Sequence, residues 1–216
     1  MAEYIRARSG EHKEERLSEI KEAANMLFTA EPYHKITLTV IAEKLGWSRA
    51  NLYKYVTTKE EIFLEITSDK MAAYYDALLA SFPAGNKFSP EVIAEVWTGI
   101  LNANQEYLRY VSYLTAIIET NVTVPRLAVF KKNYYEHANR VRDRLAQMLG
   151  ISGQKSYDLT LKILLYSSSY TSSCYKNPLI QEALRTINVP PPKQDFYEDI
   201  KDFVLMSILW SVKNSR

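Results

Sequence analysis

The chain has 216 residues, 27 Lys and Arg against 25 Asp and Glu, and 47% hydrophobic side chains, enough for one domain or two small ones with a sizeable core. Its 6 glycines and 8 prolines are roughly half the usual share of about 12%, too little turn chemistry for a many-stranded sandwich or barrel. No apolar run approaches the ~18 to 20 residues of a bilayer span, so neither an all-β fold nor a membrane partner is expected.

The first sixteen residues mix charges and lack the apolar stretch of an export signal. Cys174 is the only cysteine, so an internal disulfide and a thiolate metal cage are both out of reach. Both features suit a reducing cytoplasm. In a run of small side chains the thiol reads as buried and inert.

Taken in chain order, Leu17, Ile20, Ala24, Leu27 and Phe28 form one helical stripe that Glu31-Pro32 ends. Thr37 precedes a short pattern (Leu38, Ile41, Ala42, Leu45) stopped by Gly46, and Ser48 opens a second short helix over 49–56. Thr58 and Glu61 have capping-box spacing and open a long helix over 59–81. Phe82-Pro83-Ala84-Gly85-Asn86 reads as a linker. Beyond it, helices are expected over 90–105, 106–121, 126–149, 155–176, 179–187 and 195–213. Gly150 and Gly153 bracket one stop, and Pro190-Pro191-Pro192 forces an extended connection. The expected fold is all-α. A DNA-binding domain over 1–60 precedes a helical domain over 61–216, and the helix at 59–81 bridges them.

Two short helices around a glycine turn make a helix-turn-helix, whose second helix has the width of the DNA major groove. Within residues 34–59, Lys35, Lys44, Arg49, Lys54 and Lys59 face a single acid, Glu43. Arg49 and Asn51 offer a guanidinium and an amide that match base edges. Thr37, Tyr53, Tyr55 and Lys59 stand at helix starts or beside the turn, within reach of phosphate oxygens. Lys59 in the first turn of its helix opposes the macrodipole, a local cost that an external phosphate would offset. The same hydroxyls at positions 37, 48 and 58 are ordinary N-caps in any helical protein.

The residues Leu27-Phe28, the run from Ile36-Thr37-Leu38-Thr39 through Gly46-Trp47-Ser48, Leu52-Tyr53-Lys54-Tyr55-Val56 and Thr58-Lys59-Glu60-Glu61-Ile62-Phe63 resemble the N-terminal domain of TetR-family (tetracycline-repressor-like) transcriptional regulators. The resemblance covers about residues 15 to 65. It implies that Arg49, Ala50 and Asn51 face bases and that Thr37, Tyr53, Tyr55 and Lys59 grip phosphates; Thr39, Ser48 and Lys54 are expected to help position the backbone. It further implies a helical C-terminal domain that dimerises and often binds a small ligand. Three positions depart from the pattern: Glu31-Pro32 and Ala50 stand where glycine is common, and Val56 replaces the usual phenylalanine.

In the second domain, Phe196, Ile200, Phe203, Val204, Ser207 and Ile208 share one face of the last helix. Leu161, Leu165, Ser169 and Ser172 lie on the helix over 155–176. These are expected to pair with their copies as a four-helix interface across a two-fold axis. Trp97, Tyr113, Glu119, Tyr166 and Tyr170 supply the apolar lining with a few polar groups that a ligand pocket needs. A buried Glu119 would favour a cationic ligand; a solvated one leaves a neutral aromatic or lipid-like ligand open.

Catalytic equipment is scarce: there is no phosphate-binding glycine loop, nucleophile elbow or zinc-binding His pair. Glu31 and His34 have Glu-x-x-His spacing but straddle a proline, and His12 and His137 read as solvent-facing. No cofactor or metal is expected. The reading is therefore a homodimeric DNA-binding regulator of a palindromic operator, with repression as the family default and release by a small-molecule effector. The alternative is an all-α carrier or enzyme enclosing an apolar ligand, its basic segment a solvated face.

Overall fold

The computed structural model describes residues 2–174, 178–190 and 193–214, apart from the side chains of 2–11, 173, 174 and 178. The expected thiol environment of Cys174 and the end of the proline run therefore lie outside the described residues. Among the described residues every regular element is helical, and no helix is long and apolar enough to cross a membrane. The elements are α1 (Ala2–Ala30), α2 (Leu38–Leu45), α3 (Arg49–Leu52), α4 (Lys59–Ser81), α5 (Pro90–Ala103), α6 (Gln105–Tyr113), α7 (Val124–Leu149), α8 (Gly153–Cys174), α9 (Pro178–Thr186) and α10 (Phe196–Lys213).

The chain divides into two compact units, residues 1–69 with 114–130, and residues 70–113 with 131–216. The division differs from a single cut near residue 60, because the stretch after α6 returns to the first unit. Thr58 donates to the Asn121 carbonyl at 3.3 Å, and Arg126 pairs with Glu65 at 3.2 Å. Both α4 and α7 contribute residues to both units.

In the first unit α1 presents Ile20, Ala23, Ala24 and Phe28 to the core. Phe28, Tyr33 and Phe63 meet as an aromatic cluster with ring centroids 5.1–6.2 Å apart, the edge-to-face and tilted arrangements that ring quadrupoles favour. Ile36, Ile41, Leu52 and Ile62 complete the core. Gly46 ends α2 at φ 68°, in the left-handed region where a side chain would be strained. That turn aims α3.

The expected helix over 49–56 is shorter in the structure. After Leu52 the chain tightens into turns, with Lys54 N–H on the Asn51 carbonyl and Tyr55 N–H on that of Leu52, the i→i+3 pattern of a narrowing helix end. The expected helix over 106–121 also breaks: α6 gives way to a π turn (Leu114–Ile118) and a 3-10 turn (Glu119–Asn121). Thr120 Oγ1 donates to the carbonyls of Ala116 and Ile117, and Asn121 Nδ2 to that of Ile117.

In the second unit α10 lies against α5 and α8, and α6 against α8. Ile200, Val204, Ile208 and Ser211 recur at helical spacing and are buried, opposite Ile93, Ala94, Trp97 and Leu101 of α5. Trp97 is fully enclosed, and its indole N–H donates to Tyr74 Oη at 2.9 Å. Burial pushes the Tyr74, Tyr75, Tyr107, Tyr110 and Tyr134 phenols upward, so they stay neutral as core residues with a polar tip. His137, expected to face water, is instead half-buried. Its ring stacks on Tyr75, and Nδ1 is buried without a hydrogen-bond partner, 3.8 Å from Asp76.

Candidate nucleic-acid interface

Two capping hydroxyls set the local geometry. Thr37 Oγ1 accepts from the Val40 N–H at 3.2 Å at the start of α2, and Ser48 Oγ accepts from the Asn51 N–H at 3.2 Å at the start of α3. Each satisfies one of the N–H groups that a helix start leaves unpaired, a contribution of about 1 kcal/mol. Each hydroxyl keeps its own proton as a donor. Both residues are exposed, so capping and donation to an external acceptor are compatible.

From this frame α3 presents Arg49 and Ala50 outward, with Lys54 exposed just beyond its end and Asn51 half-buried. The Arg49 guanidinium lies 5.9 Å from the centre of the Tyr53 ring and donates to Tyr53 Oη at 3.4 Å. The two side chains, four residues apart, hold each other on one face. Tyr53 is 45% exposed. Tyr55 is half-buried beside Trp47, with ring centroids 5.9 Å apart, and Thr39 is half-buried on the first turn of α2. The Arg16 guanidinium of α1 sits 5.2 Å over the Trp47 ring. The periodicity of α1 did not mark Arg16 for this face. The one available signal was Trp47, a large aromatic in a turn position next to a cap.

Lys59 stands differently from expectation. Its ammonium donates to the carbonyls of Tyr33 at 2.9 Å and Ile36 at 2.8 Å and lies 4.0 Å from the centre of the Tyr33 ring. Two of its three donors are thus committed inside the unit. Desolvation lowers its pKa below the ordinary lysine value, against the opposing pull of the Glu60 carboxylate. The unfavourable cation at the start of α4 is compensated by carbonyls of this chain. Tyr33 Oη in turn donates to Glu60 at 2.9 Å, so residues 33 and 36 are pinned to the start of α4 just ahead of Thr37.

The capping box at α4 forms with a shift. Thr58 Oγ1 accepts from the Glu61 N–H at 3.2 Å, while the Glu61 carboxylate accepts from the Thr57 N–H at 2.9 Å, one residue earlier than the usual pattern.

The residues expected to line a ligand pocket fall in both compact units. Trp97 is core, with its donor satisfied. Tyr113 closes α6, and Glu119 lies in the 3-10 turn of the other compact unit, both half-buried. Tyr166 stacks on Phe203 with centroids 3.8 Å apart, and Tyr170 donates to Asp199. Those two side chains join α8 to α10.

The expected interface residues also divide. Ile200, Val204 and Ile208 are fully enclosed within the chain, because the 3.6-residue period turns them toward α5 and α8. They are core residues, not surface for a partner. Leu165, Ser169 and Ser172 are exposed; Leu161, Phe196, Phe203 and Ser207 are half-buried. Met206, Leu209 and Trp210 are the large apolar residues of α10 that remain exposed.

A helix capped by Ser48, following the Gly46 turn and carrying exposed Arg49 and Lys54, has the form of the second helix of a helix-turn-helix, the class of DNA-binding regulators. Comparison with known proteins makes the assignment particular. Residues 20–66 match the model of bacterial regulatory proteins of the tetR family, and residues 68–209 match that of the tetracyclin repressor-like C-terminal domain. The chain belongs to the TetR family of transcriptional regulators. Over 56 residues it is 38% identical to YfiR of Bacillus subtilis (strain 168), described as an uncharacterized HTH-type transcriptional regulator. That match spans 26% of this chain and 27% of the relative. Among solved structures, PfmR of Thermus thermophilus superimposes with a TM-score of 0.56 at 16% identity over 88% of this chain and 97% of that one. A TetR/AcrR-family regulator of Thermobifida fusca gives 0.54 at 16% identity over 90% and 97%. The fatty acid degradation regulator FadR of Bacillus halodurans gives 0.54 at 15% identity over 90% and 94%. At these identities the likeness concerns the fold.

Proposed function

We propose that the chain is a cytoplasmic, homodimeric repressor that binds a palindromic duplex-DNA operator and leaves it when a small molecule binds the helical domain. The observation that carries the DNA reading is the exposure of Arg49, Ala50 and Lys54 around a four-residue helix whose cap hydroxyl keeps a free proton. In this reading Arg49, Ala50 and Asn51 meet base edges. Thr37, Thr39, Ser48, Tyr53, Lys54 and Tyr55 hold the sugar-phosphate backbone, with Lys59 as the pin beneath them. Two copies of α3 would enter major grooves about 34–36 Å apart or a multiple of that. Because α4 carries residues of both compact units, it is the natural path by which a ligand selects the unsuitable separation.

Pairing of two chains is supported by the outward apolar stripe of Leu165, Met206, Leu209 and Trp210, with Leu161, Ser169 and Ser172 along α8. A selection from random duplexes, followed by titration at several salt concentrations, tests the function. The expected result is a two-fold-symmetric consensus whose affinity falls linearly on a log-log salt plot. Lys54→Ala should reduce that slope by about 1, and Arg49→Ala should relax preference at one base pair per half-site by about 1 to 3 kcal/mol. Absent or salt-insensitive binding would instead favour the carrier reading.

A further inference from the structure

The first compact unit holds a cleft of about 220 Å³ lined by Leu17, Ile20, Lys21, Val56, Glu61, Ile62, Glu65 and Arg126. Its floor is apolar. Val56, the position where phenylalanine is usual, forms part of that floor, and a larger side chain there would project into the space. The charged lining is unevenly paired. Lys21 reaches Asp69 at 2.6 Å and Arg126 reaches Glu65 at 3.2 Å, so both cations already have a carboxylate.

Glu61 differs. It is 5% exposed, and its carboxylate accepts from the Thr57 N–H, but among the described residues it takes part in no ion pair. That leaves Glu61 as the carboxylate of the lining with no cation beside it among the described residues, and an ammonium placed in the cleft would supply one.

We propose that this cleft binds a small primary amine with an apolar body, its ammonium against Glu61 and its body on Leu17, Ile20, Val56 and Ile62. Its lining residues all belong to the first compact unit. Glu61 holds the Thr57 N–H and Val56 follows the turns after α3. An amine there therefore acts on the connection that carries the reading helix and changes operator affinity. That consequence, but not the binding itself, rests on the DNA-binding reading.

The test is a titration of the full chain with benzylamine in the absence of DNA, followed by methyl NMR. Saturable shifts are expected at Leu17, Ile20, Val56 and Ile62. Benzyl alcohol, of the same shape without the charge, should bind at least tenfold more weakly. Glu61→Gln should cost benzylamine at least tenfold and narrow its advantage over the alcohol, and Val56→Phe should remove both ligands while helical content is retained. Equal affinity for amine and alcohol, tighter binding of benzoate, or shifts confined to other residues would overturn the proposal, even if both variants failed to fold. Amine binding without any duplex binding would leave the cleft standing and remove its regulatory role. Duplex binding without amine binding would overturn the cleft proposal and leave the DNA-binding reading standing.

Discussion

The two ends of the functional reading are built by different forces. Around α2 and α3 the geometry is set by polar contacts with backbone groups: the hydroxyls of Thr37 and Ser48 on N–H groups, and the Lys59 ammonium on two carbonyls. Around α5, α8 and α10 it is set by apolar burial, with Trp97, Ile200, Val204 and Ile208 closed off from water. Short helices are marginal on their own, so α2 and α3 depend on these directional bonds together with the burial of Ile41, Ala42 and Leu52. The long helices need few such bonds. A substitution should therefore disturb the first region in its aim and the second in its stability.

The largest expected effect tests the apolar side. Trp97→Ala removes the most voluminous fully buried side chain and leaves the Tyr74 hydroxyl without its donor. It should cost about 3 to 5 kcal/mol in urea unfolding followed by circular dichroism. A loss below about 1 kcal/mol would mean that the core around α5 is looser than its burial implies. Next, Lys59→Ala releases the carbonyls of Tyr33 and Ile36, an expected loss of about 1.5 to 3 kcal/mol for bonds to a charged donor. The sharper outcome is that it weakens all duplex sequences alike while the salt slope changes less than for Lys54→Ala. A slope falling by a full unit would return Lys59 to the phosphates.

Ser48→Ala should cost about 1 kcal/mol and reduce duplex affinity by more than that stability loss predicts, because the cap and the reading helix are one structure. Smallest in stability is Leu165→Lys, expected within about 0.5 kcal/mol because the side chain is 47% exposed. If the chain pairs as proposed, light scattering should nonetheless find the variant as single chains. Unchanged mass would place the paired surface elsewhere.

How much of this was legible beforehand follows from the same contrast. Glycine, proline and cap residues are local signals, and they located α2 and the start of α4: Thr37 and Gly46 bracket α2 as read, and Lys59 opens a helix that closes at Ser81. The face of α10 was read as one apolar surface because periodicity identifies a stripe without saying which neighbour covers it. Ile200, Val204 and Ile208 turned out to be covered by this chain, while Leu209 and Trp210 were not. The internal partners of Lys59 were hidden for a related reason. Its cost at a helix start is visible in sequence, but the carbonyls that offset it come from residues 33 and 36 and meet it only in the fold. The break after α6 into a π turn and a 3-10 turn leaves no mark in the apolar spacing.

The three tryptophans give the chain built-in optical probes. Trp97 is sealed and donates to a phenol, Trp47 lies under a guanidinium beside the reading helix, and Trp210 is 60% exposed on α10. Emission from Trp97 should be blue and shielded from iodide. That of Trp210 should be red and readily quenched until two chains associate, and that of Trp47 should change when DNA approaches. Single-tryptophan versions of the chain would follow unfolding, pairing and operator binding as separate signals without any attached dye.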